Sequence, residues 1–265
     1  MTAAPLPVLQ ARNLALRYPG ADGAVFEGVD LDLARGEVVA VLGASGAGKS
    51  SLLRVLAGLQ PATAGTLLME GAVLSGVHPR VAVAFQDPSL LPWLTLERNV
   101  AFGLDFKHQP ALTDAQRRAR VAQAIDEVGL AHARHLRPAQ LSGGMAQRTA
   151  LARCLARQPS VLLLDEPFGA LDEVTRGEMQ ELLRKVVADF QTAAVLITHD
   201  IDEALLLADR IVLLGGAPGR ILGVWQVNLP QPRADLLPEM GALRLEILTR
   251  LRAALRATRG AAALA

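Results

Sequence analysis

Short, continuous runs of apolar residues recur along the chain, each bounded by glycine, proline or aspartate. They lie at Val38–Leu42, Val81–Phe85, Val161–Leu164, Ala193–Ile197 and Ile211–Leu214. Because strands buried on both faces are apolar throughout, these runs predict the strands of a largely parallel sheet. Helical patterns lie between them, at Ser50–Leu59, Asp114–Val128, Gly144–Arg157, Arg176–Phe190 and Asp202–Ala208. Strands that alternate with helices indicate an α/β fold.

Three segments depart from this alternation. Pro5–Arg35 contains the alternating run Val29–Leu33, which predicts antiparallel β-structure at an edge. Pro88–Leu155 has helical patterns and no convincing strand, and Gly241–Arg259 has the pattern of a basic amphipathic helix. We therefore predict a domain over residues 1–230, with a helical subdomain inserted at about 88–155, followed by a C-terminal helical extension over 231–265.

Composition narrows the class of protein. Of the 265 residues, 51% are hydrophobic, yet the longest stretch without a charged side chain is the fifteen residues Val55–Met69. A membrane-spanning helix needs about 20 apolar residues, so none is predicted. The 27 Lys and Arg balance the 26 Asp and Glu, without the basic excess of a nucleic-acid-binding protein. The single cysteine, Cys154, excludes an internal disulfide, favours a reducing compartment and fits a small core residue.

The segment Gly43–Ser50 follows an apolar strand and opens a helix, and it matches the phosphate-binding pattern G-x-x-x-x-G-K-[ST]. Glycines allow backbone N–H groups to turn toward phosphate oxygens, and a helix N-terminus favours an anion. Lys49 is expected to reach the β- and γ-phosphates, and the Ser50 hydroxyl to bind Mg²⁺. This loop predicts a nucleotide but not its use.

Two adjacent acids, Asp165 and Glu166, end the apolar strand Val161–Leu164. Because successive strand side chains point to opposite faces, Asp165 can face a hydrated Mg²⁺ while Glu166 orients or deprotonates an attacking water. Considered without the phosphate-binding loop, an acidic pair of this kind is more typical of a strand end that faces solvent than of a catalytic site. Behind a phosphate-binding loop, the catalytic interpretation is favoured.

A second candidate anion site is the segment Leu141-Ser142-Gly143-Gly144-Met145, which enters a helix. Ser142 lies 93 residues after Lys49, and Gly144 lies 21 residues before Asp165. A nucleotide held by both helix starts would require them to be brought face to face.

In their order and approximate spacing, these motifs resemble the ATP-binding cassette (ABC) transporter ATPases, over about Leu9–Gly219. The resemblance implies a P-loop NTPase (RecA-like) core with an antiparallel β subdomain and a helical signature-motif subdomain. It also implies a head-to-tail dimer in which each ATP lies between the phosphate loop of one subunit and the signature segment, here Leu141–Gln147, of the other. Met145 departs from the glutamine commonest at that position, which is not the main phosphate donor.

The resemblance also implies roles for single residues. Tyr18 corresponds to the residue that stacks on adenine, Gln86 to the Q-loop glutamine and His199 to the switch histidine. Gly169–Asp172 corresponds to the D-loop. With the assignments above, catalysis is predicted for Glu166, His199 and Gln86, and Mg²⁺ binding for Ser50, Gln86 and Asp165. Nucleotide binding is predicted for Tyr18, Gly43, Ala44, Ser45, Gly46, Ala47, Gly48, Lys49, Ser50, Ser51, Ser142, Gly143, Gly144 and Asp172.

The segments Phe85–Trp93 and Ile197–Leu205 resemble the nitrate, sulfonate and taurine importer group. That group implies a second ATPase subunit, a permease docking near Gln86–Trp93, a periplasmic substrate-binding protein and a peripheral position at the cytoplasmic face of the inner membrane. Alternatively, Leu90, Leu91 and Trp93 pack within the helical insertion. An exporter or lipid-trafficking ATPase, and a cassette ATPase that serves nucleic acids, remain as other classes. The substrate is not encoded, because such a subunit does not touch it.

Overall fold

The computed structural model describes residues 7–233, 236 and 238–262. Residues 1–6 and 263–265, at the two ends of the predicted domains, lie outside the described residues, as do 234, 235 and 237 of the predicted extension. The chain forms two compact units, one of Met1–Val77 with Ala193–Ala265 and one of His78–Thr192. Within the described residues, no helix combines the length and apolarity needed to cross a bilayer.

Ten strands and seven α-helices follow one another along the described chain. The strands are β1 (Leu9–Leu16), β2 (Phe26–Leu33), β3 (Val38–Leu42), β4 (Ala64–Met69), β5 (Ala72–Val73), β6 (Val81–Ala84), β7 (Val161–Asp165), β8 (Ala193–Ile197), β9 (Arg210–Gly215) and β10 (Arg220–Gln226). The helices are α1 (Lys49–Leu56), α2 (Leu96–Ala101), α3 (Asp114–Glu127), α4 (Gly143–Leu155), α5 (Glu173–Phe190), α6 (Ile201–Leu207) and α7 (Gly241–Ala262).

The first unit contains two sets of strands. The antiparallel sheet has the order β2-β1-β4-β5, and its β1 and β2 confirm the β-structure predicted for the N-terminal segment. In the second set β3 lies between β8 and β9 and runs parallel to both, while β10 pairs antiparallel with β9. All five residues of β3 and of β8 are buried, as their continuous apolar sequences predict.

The C-terminal helix α7 packs onto the first unit with its apolar face. Ile247 is fully buried. On the polar face, Arg244 binds Asp202 of α6 through two hydrogen bonds of 2.5 and 3.0 Å, and Glu246 accepts one of 2.8 Å from Trp225 of β10. A packing role therefore accounts for the described part of this helix.

The second unit combines β6 and β7, a parallel pair, with α2, α3, α4 and α5. No strand interrupts residues 88–155, all of which are described, so the helical character predicted there is confirmed. Thr95, Thr113, Ser142 and Asp172 cap α2, α3, α4 and α5 by accepting a backbone hydrogen bond in the first turn. Ile125, Leu162 and Leu163 are among its fully buried side chains.

Arg233 joins the segment after β10 to the end of α6. Its side chain is 3% exposed and donates hydrogen bonds of 2.5–3.0 Å to four carbonyl oxygens, those of Leu205, Ala208, Val227 and Leu229. We expect Arg233→Met to lower the free energy of unfolding by about 3 kcal/mol, because the variant leaves several buried carbonyl groups without donors.

Urea unfolding followed by circular dichroism measures this loss. Arg252→Met is the matched control, since Arg252 is exposed on α7 and its replacement should leave the midpoint within error. An unchanged midpoint for Arg233→Met would show that these hydrogen bonds contribute nothing to stability.

Candidate functional site

The predicted phosphate-binding loop leaves the carboxyl end of β3 and enters α1. Gly43 is required by close approach: a Cβ there would stand 2.3 Å from the carbonyl oxygen of Leu214 in β9. Gly48, the N-cap of α1, has φ +91°, a conformation that favours glycine. Residues with a side chain are therefore disfavoured at positions 43 and 48 of the loop. Between them, Ser45 and Gly46 are exposed.

Lys49 lies inside this loop. Its side chain is buried, with the residue 8% exposed, and Nζ donates to the carbonyl oxygens of Gly43 at 2.8 Å and Ala44 at 3.0 Å. An ammonium group held by two loop carbonyls is already placed where phosphate oxygens would enter the loop, and the N-terminus of α1 adds the positive end of its dipole. The arrangement suits a polyphosphate anion.

Tyr18 follows β1 and is half-buried. Its hydroxyl lies 3.3 Å from Oγ of Ser51, in the first turn of α1, so the predicted adenine-stacking residue is placed beside the phosphate-binding loop. The structure therefore brings together two residues that are 33 positions apart in the sequence.

His199 is exposed and lies two residues after the end of β8. Because β8 is the parallel neighbour of β3, with Ile197 opposite Val41, His199 and the phosphate-binding loop leave the same edge of the sheet. Asp200 caps α6 by accepting hydrogen bonds from Asp202 N at 2.8 Å and Glu203 N at 3.2 Å, and its own N–H donates to Thr198 Oγ1. These contacts hold the backbone on the C-terminal side of His199. The carboxyl edge of parallel strands is where ligands bind in open α/β sheets.

In the second unit, β6 and β7 bring the other predicted catalytic residues to one edge. Ala84 lies opposite Leu164 in register, so Gln86 and Glu166 follow the carboxyl ends of neighbouring parallel strands. A Cβ built on Gly169 would lie 3.6 Å from Gln86 Nε2 and 4.0 Å from Glu166 Oε2. The two side chains therefore converge on the start of the D-loop segment.

Glu166 has φ +46°, in the left-handed region that few residues other than glycine adopt. Strained backbone of this kind is common where a side chain must be aimed at a ligand. Asp165, the last residue of β7, is half-buried like Glu166.

The Ser-Gly-Gly segment opens α4, with Ser142 as N-cap accepting from Met145 N at 3.2 Å. Gly143 and Gly144 form the first turn. Asp172 caps α5 through Thr175, whose backbone N–H donates at 3.0 Å and whose hydroxyl donates at 2.7 Å. These hydrogen bonds lower the pKa of the Asp172 carboxyl from its ordinary value.

The residues predicted to bind Mg²⁺ have the chemistry that this ion requires. The hydroxyl of Ser50, the amide of Gln86 and the carboxylate of Asp165 are oxygen donors, which Mg²⁺ prefers. Among the described residues, no three or more His, Cys, Asp or Glu side chains form a metal-binding cluster. One carboxylate with substrate phosphates and water is the usual way in which proteins hold Mg²⁺.

The sequence analysis included Gln147 as the last residue of the signature segment and gave it no role of its own, whereas the structure buries it against the Q-loop and the segment after Glu166. Gln147 Nε2 donates to the carbonyl oxygens of Gln86 at 3.0 Å and Pro167 at 2.8 Å. The signal that could have identified Gln147 is its position as a polar residue on the buried face of α4. By contrast, Cys154 is the small core residue expected: burial raises the pKa of its thiol to about 11, which keeps it protonated.

Comparisons with known proteins converge on one family. The sequence model described as ABC transporter matches residues 26–169. The chain is 49% identical over 220 residues to the aliphatic sulfonates import ATP-binding protein SsuB 1 of Xanthomonas axonopodis pv. citri, a match that covers 83% of this chain and 86% of the relative. It is 41% identical over 230 residues to the nitrate transport protein NasD of Klebsiella oxytoca, covering 86% and 88%.

A longer relative extends the range of named substrates. The bicarbonate transport ATP-binding protein CmpC of Synechocystis is 45% identical over 234 residues, which are 86% of this chain but 35% of that relative. The chain therefore spans about a third of CmpC.

Solved structures match the fold. The dimeric cassette MJ0796, in a post-hydrolysis state bound to ADP and Pi, has a TM-score of 0.72 and 29% identity, covering 84% of this chain and 100% of its own. CbiO1 of Clostridium perfringens, part of the ABC transporter complex CbiONQ, has a TM-score of 0.77 and 26% identity, covering 92% and 96%.

Proposed function

The chain belongs to the ABC transporter family, and from that premise we propose that it is the ATP-hydrolysing subunit of an importer. The importer carries a small anion, such as an aliphatic sulfonate, taurine or nitrate, through a separate permease. The observation that supports this proposal most strongly is Lys49, a buried ammonium group inside a glycine loop at a strand edge, in a chain whose named relatives are anion-transport ATP-binding proteins.

The first unit binds ATP. Tyr18 stacks on the adenine, and the backbone N–H groups of Ala44–Ser51 surround the phosphates. Lys49 exchanges its two carbonyl partners for β- and γ-phosphate oxygens. His199, at the same strand edge, hydrogen-bonds the γ-phosphate.

The second unit supplies the groups that act on water. Glu166 accepts a proton from the attacking water, and Gln86 orients that water. Ser50, Gln86 and Asp165 are the residues that would hold Mg²⁺, and the ion would neutralise charge on the phosphate oxygens. Convergence of Gln86 and Glu166 at Gly169 supports their action on one water molecule.

The signature segment binds the ATP of a second subunit. The hydroxyl of Ser142 and the first N–H groups of α4, at Gly143 and Gly144, donate to the γ-phosphate. Asp172, whose carboxylate accepts hydrogen bonds from the backbone N–H and hydroxyl of Thr175, orders the partner's site. Closure of this head-to-tail dimer on ATP drives the permease to its other orientation, and hydrolysis reopens the dimer.

The permease docks on the second unit near Gln86–Trp93, in a part of the chain with several exposed aromatic side chains. Three of the six phenylalanines and one of the two tryptophans are exposed between residues 85 and 106, where Trp93 is 67% exposed. Asn99 holds the backbone that presents Trp93, because its side chain bonds the backbone of Leu91, Leu94 and Thr95 at 2.8–3.3 Å. Rigid exposed aromatic side chains are typical of the centres of interfaces. Leu96 of the same segment is fully buried, so only part of the segment is available to a partner.

The permease places this subunit peripherally at the cytoplasmic face of the inner membrane. A periplasmic substrate-binding protein completes the importer and selects the anion. The prediction that nucleic acid plays no part follows from the balanced charge.

Affinity capture of the full chain from detergent-solubilised native membranes, with mass spectrometry, tests this assignment. Wild type should recover a permease and a substrate-binding protein, and Trp93→Ser should lower permease recovery about tenfold, since interface anchors of this kind contribute 1–3 kcal/mol. Val73→Ser is the matched control, because Val73 is 69% exposed on β5 and belongs to the first unit, outside the segment proposed to dock.

Purified complexes in liposomes then identify the cargo: sulfonate, taurine, nitrate or bicarbonate with the substrate-binding protein should stimulate ATP turnover. Recovery of no permease, or stimulation by nucleic acid instead, would contradict the importer assignment. Equal recovery by Trp93→Ser and wild type would move the docking site elsewhere.

A further inference from the structure

Three catalytic segments of the second unit meet at one buried side chain. Gln147 lies on α4, five residues after the cap Ser142, and is 6% exposed. Its Nε2 reaches the carbonyl oxygen of Gln86 and that of Pro167, the residue after Glu166. One amide therefore joins the signature helix to the backbone of both residues that act on water.

The other polar atom of this amide is not satisfied. Within the described part of the chain, Gln147 Oε1 is buried and accepts no hydrogen bond. A buried acceptor without a donor costs stability, and an apolar side chain of similar size would avoid that cost. The two donated hydrogen bonds are thus the contacts that a glutamine provides here and an apolar residue cannot.

The same helix holds the Q-loop at a second point. Arg153 donates from Nη2 to the carbonyl oxygen of Pro88 at 2.7 Å and from Nη1 to that of Ser89 at 3.0 Å. A movement of α4 would therefore displace the Q-loop backbone at two places. Of these two side chains, Gln147 is the one whose hydrogen bonds, among those of the described residues, also reach the segment after Glu166.

We propose that Gln147 is a positioning residue for ATP hydrolysis, which sets the spacing of Gln86 and Glu166 and links it to the position of the signature helix. The proposal rests on the proposed function, since it needs Gln86 and Glu166 to act on water. Gln147 is buried and is not among the residues proposed to bind the nucleotide. Its loss should therefore lower turnover, through misplaced reacting groups, more than it weakens ATP binding.

Steady-state ATPase assays of the full chain test this with Gln147→Leu, which removes both donors at similar volume. We expect kcat to fall about tenfold, while the KM for ATP changes less than threefold. Thr149→Val is the matched control on the same helix: Thr149 is fully buried, and its hydroxyl bonds only the Met145 carbonyl of its own helix in the described contacts. It should retain wild-type kcat.

A double-mutant cycle with Gln86→Ala separates positioning from a general loss of packing. If Gln147 acts through Gln86, adding Gln147→Leu to Gln86→Ala should lower kcat less than twofold further. Independent, multiplicative effects, or a wild-type kcat for Gln147→Leu, would overturn the proposal.

If Gln147→Leu fails to fold, Gln147→Lys and Gln147→Glu provide a second test, because one keeps a hydrogen-bond donor at this position and the other removes it. Lysine can donate to both carbonyl oxygens and should retain at least a third of wild-type kcat, whereas glutamate, which has no donor when ionised, should not. Equal activity of the two would overturn the proposal. In the same assay, a wild-type chain without ATPase activity would overturn the proposed function as well, whereas an active wild type with an unaffected Gln147→Leu would overturn only this inference.

Discussion

Glu166→Gln should lower the ATP turnover number by about 10²–10⁴-fold and leave ATP binding intact, because glutamine keeps the shape of the side chain and loses the base. Glu166 directly follows β7, has φ +46° and lies with Gln86 close to Gly169 of the D-loop segment. The change therefore removes a proton acceptor whose position the backbone fixes. With hydrolysis blocked, MgATP should hold two chains in the closed head-to-tail dimer. Turnover is measured by phosphate release, and the dimer by light scattering after size exclusion.

The matched control for this variant is Glu181→Gln, which changes an exposed acid on α5. It should hydrolyse ATP at the wild-type rate and stay monomeric after turnover. Wild-type turnover by Glu166→Gln would show that another group accepts the proton. Loss of turnover without an ATP-dependent doubling of mass would contradict the dimer mechanism.

Lys49→Met should weaken MgATP binding about 10–100-fold and abolish measurable turnover. Two charge-assisted hydrogen bonds to phosphate oxygens are lost, each of about 1.5–3 kcal/mol before compensation, and 1.4 kcal/mol is tenfold in affinity. Because Lys49 is buried, methionine, which fills a similar space without charge, removes the cation and keeps the packing. Isothermal titration calorimetry with MgATP measures the affinity.

Arg54→Met is the matched control, because Arg54 is an exposed cation on the same helix, α1, and should bind MgATP as wild type does. Thermal unfolding of the nucleotide-free proteins separates a lost contact from a damaged fold. Wild-type affinity in Lys49→Met would exclude Lys49 from phosphate binding. A weakened affinity in both variants would indicate a non-specific charge effect instead.

The predicted family and fold class are confirmed by the relatives and by the solved structures, while the site roles and the domain boundaries stay predictions. The confirmed elements are those with strong local signals. The bounds Val38–Leu42 and Ala193–Ile197 agree with the structure, because strands buried on both faces must be apolar at every position. The structure adds one residue at each end of the predicted strand Ile211–Leu214, which is β9.

Elements without such a signal were missed. The strand β10 has no fully buried residue and contains Gly223, and β4 contains Gly65 with φ +87° and exposes its first three residues. The helix α2 has only six residues, and its stability depends on the Thr95 cap and on burial of Leu96 and Val100. Such elements form because neighbours pack against them, and local patterns do not contain that information.

By itself, the sequence determined the family, the fold class and the identity of the candidate groups, because phosphate binding by backbone needs glycines, a lysine and a helix start at fixed spacing. The tertiary structure decided which groups meet. The pairing of β3 with β8 places His199 beside the phosphate-binding loop, and the fold of the second unit places Gln147 between Gln86 and Pro167. Gln147 is 61 positions from Gln86 and 20 positions from Pro167 in the sequence. Contacts at such separations depend on strand order and helix packing, which no short stretch of sequence specifies.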